Sequence, residues 1–305
     1  MSVRWLLAAG AVVLAVLFAA CGGASGGSAG AGEEKLKVVT SLGVFADFVR
    51  VVGSDRVDVT ALLPPGADPH TFEPSPSDVR KVTEAKIVFI NGHGLDTTVD
   101  KAIQANRPEG APVVQLADEA IAAGTAVIEP DYHLWLDVNN AAQYARIIRD
   151  SLSEVDSKAS ATYNDNFERY LADLQSVGEY AQESASKIPP ERRKLVTSHG
   201  AFAYFARYLG LEVVGFVARS PGQESSPRDV ADLGQAIKEA GVPAVFVEPQ
   251  VGSEGRVLQQ IADDAGVKVC TLYSDALDEK VTSYLELMRF DADEVARCLA
   301  GGAGG

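Results

Sequence analysis

Basic residues, cysteines and histidines are all scarce in this 305-residue chain: 27 Lys and Arg face 42 Asp and Glu, with three cysteines and four histidines. The formal charge of −15 excludes nucleic acid as a partner, because binding phosphates needs basic stripes that displace counterions. An acidic surface instead favours solubility and raises the local concentration of cations. No C-x-x-C pair and no H-E-x-x-H occurs, so the short-range signatures of zinc modules and zinc peptidases are missing. Long apolar runs are also lacking. The one at Trp5–Ala20 falls short of the roughly 20 residues that a bilayer-crossing helix needs.

That run follows Arg4 and ends in Ala19-Ala20-Cys21, the order of an export signal: a basic start, an apolar segment, then small residues at a cut site. Residues 1–20 therefore read as a signal peptide. Ala19-Ala20-Cys21 is similar to a bacterial lipobox, with Phe18 where leucine is usual, which makes Cys21 the lipid-anchored first residue of the mature chain. Two acyl chains suffice for stable membrane attachment. Residues 21–35 are dominated by Gly, Ser and Ala and read as a flexible tether. Gly23-Ala24-Ser25-Gly26-Gly27 matches G-x-S-x-G literally, but the nucleophile motif requires a strand before it and a helix after it.

A hydrophobic fraction of 47% supports a substantial core, and the length suggests two domains. From Lys35 onward short β-branched runs alternate with amphipathic stretches, the pattern of βαβ units and mainly parallel sheets. Strands are expected at Leu36–Thr40, Val57–Leu62, Ile87–Ile90 and Val113–Leu116, then at Leu195–Thr197, Val213–Phe216, Ala244–Val247 and Val267–Cys270. Between the two sets, Ser157–Lys187 places Tyr163, Phe167, Tyr170, Leu171, Leu174 and Val177 at helical spacing, a stripe read as core packing. Pro189-Pro190 stops that helix. The expected class is α/β, with two similar lobes, each a mainly parallel sheet flanked by helices, joined by one long helix. The N-terminal lobe spans 36–156, the linking helix 157–188 and the C-terminal lobe 189–300, followed by a Gly-rich tail at 301–305.

With Cys21 assigned to the lipid, Cys270 and Cys298 remain in a compartment where disulfides persist, and they are expected to pair. The histidines carry more. His70, His93, His133 and His199 all fall beyond expected strands or in loops, where open α/β sheets place their ligands. His70 sits in the proline-stiffened Pro64-Pro65-Gly66-Ala67-Asp68-Pro69-His70, which preorganises the imidazole. Asp131 and Asp137 flank His133 closely enough to accept its second ring N–H and fix its tautomer. His199 follows a strand closely, before Gly200, and Asp275 follows the last strand from what is expected to be the corresponding sheet edge. Each residue alone has a plainer reading as a surface or capping group.

Together, Pro65–His70 with Phe72-Glu73-Pro74, Tyr132–Asp137, Ser198–Phe205 and Phe246–Gln250 resemble the metal-binding solute-binding lipoproteins of ABC importers, the cluster A-I or adhesin-type group. The resemblance spans nearly the whole exported chain. It implies an extracytoplasmic, lipid-anchored and monomeric receptor with limited lobe closure, which passes a divalent metal to a permease driven by a separate ATPase. It also implies His70, His133, His199 and Asp275 as metal ligands, with no catalytic residue. Three imidazoles and one carboxylate suit four-coordinate Zn2+. A relative-type histidine-rich loop is missing from Ala122–Glu129, which keeps Mn2+ as the alternative. His93 is an auxiliary ligand at most, and Glu73, Asp131, Asp137 and Glu248 are supporting acids. The competing functions are a zinc-dependent hydrolase, since three histidines and an open position would be catalytic, and a surface adhesin, for which no adhesive repeat is evident.

Overall fold

The computed structural model describes residues 34–250 and 252–300. The expected signal peptide, all of the tether but Glu34 and Lys35, and the tail lie outside the described residues. The N-terminal lobe runs β1 (Leu36–Thr40), α1 (Gly43–Gly53), β2 (Val57–Ala61), α2 (Pro76–Val82), β3 (Ile87–Ile90), α3 (Thr97–Asn106), β4 (Val113–Gln115), α4 (Leu116–Ala122) and α5 (Val138–Val155). The long α6 (Ser160–Ser186) leads to β5 (Lys194–His199), α7 (Ala203–Leu209), β6 (Glu212–Ala218), α8 (Pro227–Ala240), β7 (Ala244–Val247), α9 (Ser253–Ala265), β8 (Lys268–Thr271) and α10 (Tyr284–Leu299). Both sheets are four-stranded and parallel, in the equivalent orders β2-β1-β3-β4 and β6-β5-β7-β8. The expected two-lobe α/β class is observed.

Central strands read as continuous apolar runs because helices cover both faces of a parallel sheet. All four residues of β3 are buried. Leu116, expected to end a strand, instead opens α4, and β5 extends two residues further than expected so that His199 is its last residue. Capping boxes start α2 at Ser75 and α8 at Ser226, each with Pro in the first turn and Asp at the third position. Such caps satisfy amide donors that the first helical turn leaves without partners.

The stripe on α6 is core. Tyr163, Phe167, Tyr170, Leu174 and Val177 are all buried, while Leu171 lies at the edge of the core. Gly178 has a packing reason: a Cβ there would stand 2.2 Å from the Tyr208 hydroxyl and 3.3 Å from Val138. Helices α1, α5 and α10 pack on α6, and their aromatics interlock, with Phe48 edge-on to Tyr284 at 4.9 Å and Phe45 to Trp135 at 5.2 Å. One continuous hydrophobic cluster therefore runs from β1 through to α10. A smaller one lies between the second sheet and α8 and α9. Among the described residues no helix is long and apolar enough to cross a membrane.

Cys270 on β8 and Cys298 on α10 form a disulfide across 28 positions. Closing a loop of that length contributes about 3.6 kcal/mol on the chain-entropy account. In a domain of this size that is roughly 7–14 °C of thermal midpoint. Calorimetric melting with and without reductant should show a loss in that range, and an unchanged midpoint would mean that the bridge does not constrain the unfolded chain.

Candidate metal centre

The C-terminal ends of the strands carry the polar residues, and the two lobes use theirs differently. In the second sheet the crossing point lies between β5 and β7, where chain connections diverge and a crevice forms. His199 ends β5 and Glu248 directly follows β7, so the two side chains meet there. Glu248 Oε2 accepts from His199 Nδ1 at 2.7 Å and from the Ser198 hydroxyl at 2.7 Å. Its other oxygen takes Ser274 and, at 3.3 Å, the Gln250 amide. Gly200 is needed for close approach, since a Cβ would lie 3.1 Å from the Arg219 carbonyl oxygen and 3.3 Å from the Phe216 ring.

In the first sheet the equivalent point, between β1 and β3, holds Ser41, Asn91 and the buried Asp96. Asp96 accepts from the Ser41 hydroxyl and from the amides of Asn91 and Gly92 at 2.7–3.0 Å. Asn91 then donates its side-chain amide to the Tyr132 carbonyl at 3.1 Å, and the Tyr144 hydroxyl holds its oxygen at 2.9 Å. The backbone beside His133 is thereby fixed. Asp131 Oδ1 accepts from both the main-chain amide and Nδ1 of His133, at 2.8 and 2.7 Å. Asp131 Oδ2 takes the Ala203 amide at 2.8 Å, which links the two lobes. Asp137, expected to share in orienting His133, instead caps α5 through the Asn139 amide and pairs with Arg207 at 2.8 Å.

His70, His133, His199 and Asp275 converge so that one ligand atom from each lies within 4.8 Å of every other. The imidazole centroids stand 5.2–5.5 Å apart. Asp275 Oδ1 is 3.3 Å from His133 Nε2 and Oδ2 is 3.8 Å from His199 Nε2. Edges of a tetrahedron around zinc are about 3.4 Å long when its bonds are about 2.1 Å, the scale of the two Asp275 distances and shorter than the 4.8 Å that bounds the whole set. Because Asp131 and Glu248 occupy the Nδ1 atoms of His133 and His199, both rings present Nε2 inward, as metal sites use supporting carboxylates to do.

His133, His199 and Asp275 are fully buried, whereas His70 is partly exposed. The Nε2 atoms of all three histidines and Asp275 Oδ1 are shielded from solvent and lack hydrogen-bond partners. Asp275 follows the last strand, as expected. That strand is β8, whose counterpart in the first sheet is β4, while His70 follows the edge strand β2.

Electrostatics bind the cluster together. Burial would raise the Asp275 carboxyl, but His133 first, then His199 and His70, holds it well below the carboxylate range. Burial would depress His133, yet Asp275 and Asp131 carry it well above an ordinary imidazole. His199 is likewise raised against burial, chiefly by Glu248. His70 goes the other way, lowered to about 3 by burial, with His133 and His199 adding to that and Asp275 opposing.

His93 lies elsewhere. Its backbone is left-handed, with φ +50°, and its ring stands between Asp118 at 3.8 Å and Glu129 at 3.6 Å. It is not part of the four-donor cluster. Glu73 is exposed. Sequence reasoning missed Asp68, whose Oδ1 accepts the His70 and Thr71 amides at 2.8 and 3.2 Å. Its carboxyl is raised to about 6 by burial and by the charge of Asp275, with the His70 amide and His199 opposing. The signal was its place two residues before a candidate ligand in a rigid loop.

Two parallel-sheet lobes on a long shared helix, with imidazoles and a carboxylate gathered at their seam, define the class of metal-binding solute receptors. The chain belongs to the family described as zinc-uptake complex component A, periplasmic, which residues 38–298 match. It is 31% identical over 287 residues to the manganese-binding lipoprotein MntA of Halalkalibacterium halodurans, covering 92% of this chain and 94% of that one. It is 29% identical over 300 residues to the manganese ABC transporter substrate-binding lipoprotein PsaA of Streptococcus pneumoniae, covering 94% and 96%. Among solved structures, the periplasmic zinc-binding protein TroA of Treponema pallidum superposes with a TM-score of 0.82 at 26% identity, over 88% of this chain and all of that one.

Titration of single variants should separate these roles. His199→Ala is expected to lower zinc affinity by more than about a hundredfold and Glu248→Gln by about 10–100-fold. His93→Ala should change it by less than about twofold, because that ring lies outside the cluster. A competition assay ranking His93 above His199 would refute the assignment.

Proposed function

We propose that this protein is the extracytoplasmic receptor of an ABC importer, and that it captures a divalent transition metal through His70, His133, His199 and Asp275. The observation that carries the reading is the set of four donor atoms, shielded from water and without hydrogen-bond partners, drawn from both lobes onto one point. Each such atom costs about 1–3 kcal/mol when left unmatched. A bound ion repays that readily, since zinc binding by protein donors yields about 10–16 kcal/mol.

Three imidazole nitrogens and one carboxylate favour zinc, with manganese next. The names of the relatives span both metals. The acidic surface draws cations inward, and His70, the one partly exposed ligand and a neutral one, makes the first contact. Closure of the other three donors on the ion then joins the lobes. Diacylated Cys21 holds the monomer at the membrane, and a permease with its ATPase receives the cargo. Turnover has no place in this reading, because Asp275 fills the position that a catalytic zinc keeps for water.

Binding must also displace protons. A raised His133 holds its proton at neutral pH in the metal-free state, and coordination requires the neutral ring. Lowering the pH strengthens that competition, so apparent affinity should fall by up to about tenfold for each pH unit below the free-state pKa of His133. Calorimetry at pH 7.5 in buffers of different ionisation enthalpy should report about one or more protons released per ion. Metal analysis of protein isolated without added metal, followed by zinc–manganese competition, tests the reading directly. Protein that binds neither ion stoichiometrically, or binds with pH-independent affinity, would end it.

A further inference from the structure

Beyond the four converging donors, Asp68 Oδ2, in the loop that carries His70, is also shielded from solvent and lacks a hydrogen-bond partner. The carboxylate that carries it is not free to turn away. Its other oxygen is fastened by the main-chain amides of His70 and Thr71, at 2.8 and 3.2 Å, and by the Thr71 hydroxyl at 3.5 Å. Pro69 separates Asp68 from His70, and the Phe72 amide returns to the Asp68 carbonyl at 3.1 Å. This loop is also attached to the opposite lobe, since the Gly66 amide donates to the Leu277 carbonyl at 3.3 Å. A carboxylate oxygen without a donor is therefore held in the loop that carries His70, the least buried of the four converging residues.

We propose that Asp68 Oδ2 is a specificity-determining oxygen, joining the centre as a fifth donor when the ion prefers oxygen ligands and more than four of them. The inference rests on the metal-receptor reading and refines it. Zinc is satisfied by four donors in a tetrahedron, so Asp68 contributes little to it. Manganese favours carboxylate oxygen and higher coordination, and one Asp among three imidazoles serves it poorly unless a second carboxylate takes part. The same centre then accepts both ions, with Asp68 setting the ratio between them.

Asp68→Asn tests this, because asparagine keeps the oxygen that holds the His70 and Thr71 amides and replaces the anionic Oδ2. Manganese affinity should fall about tenfold or more while zinc affinity moves by less than about threefold, following the oxygen preference of the larger ion. Asp68→Ser retains a local acceptor and removes the second oxygen altogether, and should give the same split. The Co2+ complex of the wild type should show the weak visible bands of five-coordination, changing to the intense bands of a tetrahedral site in both variants. Equal losses for the two metals, or no loss with an unchanged cobalt spectrum, would overturn the role of Asp68 while leaving the receptor reading intact. Failure of the wild type to bind either ion would instead remove the reading beneath it.

Discussion

Asp275 and His133 are buried together, 3.3 Å apart, and neither is stable there as a lone charge. Ionising an isolated carboxylate in a protein interior costs several kcal/mol even after relaxation, and only a partner of opposite charge or a metal removes that cost. In the metal-free molecule a proton on His133 supplies the balancing charge. On the proposed reading, a divalent ion would replace that proton with a larger charge at the same place. Asp131 behind His133 and Glu248 behind His199 belong to the same arrangement: each fixes a ring tautomer, and each adds negative charge that makes the centre a better host for a cation than for a proton alone.

This balance demands rigid surroundings, because a drift of 1 Å in either lobe would separate the charges. The seam is correspondingly well tied. Trp135, two residues after His133, donates its indole N–H to the Ser274 carbonyl at 3.1 Å, and the Tyr284 hydroxyl holds the Trp135 carbonyl at 2.8 Å. The Tyr204 hydroxyl accepts the Ile128 amide at 2.9 Å, and Asp47 accepts the Tyr284 amide at 2.8 Å. Behind these bonds the hydrophobic cluster passes from one lobe to the other along α6. These ties leave the His70 loop, the least buried of the four candidate donors, as the less constrained part of the seam.

Much of this was legible in the sequence because the signals are local. Buried parallel strands are apolar throughout, and a 27-residue helix without proline shows its stripe of Tyr163, Phe167, Tyr170 and Leu174 at once. The four histidines were conspicuous because they are few and fall outside the periodic segments. Roles that depend on distant partners were less accessible. Asp131 and Asp137 are equally near His133 in sequence, and the choice is made by Arg207 and the start of α5, which claim Asp137. Asp68 had no assigned role in the sequence, and one of its oxygens holds the loop by accepting the His70 and Thr71 amides. Only burial of its second oxygen distinguishes it from the many aspartates that merely hold a loop.

The two sheets share one strand order, yet the metal centre is not symmetric, and the reason lies in what each crossing point contains. In the second lobe it opens on the seam and supplies His199 with Glu248 directly. In the first lobe Asp96 folds back onto the amides of Asn91 and Gly92 and closes the equivalent crevice. The candidate donors of that lobe then come from further out, His70 from a stiffened loop after β2 and His133 from a turn held by Asn91. Two symmetric crevices facing each other would have made a roomy cleft suited to a molecule several atoms wide. In this chain one crevice is taken up by Asp96 and two imidazoles reach across it, which on the proposed reading leaves a place for a single ion.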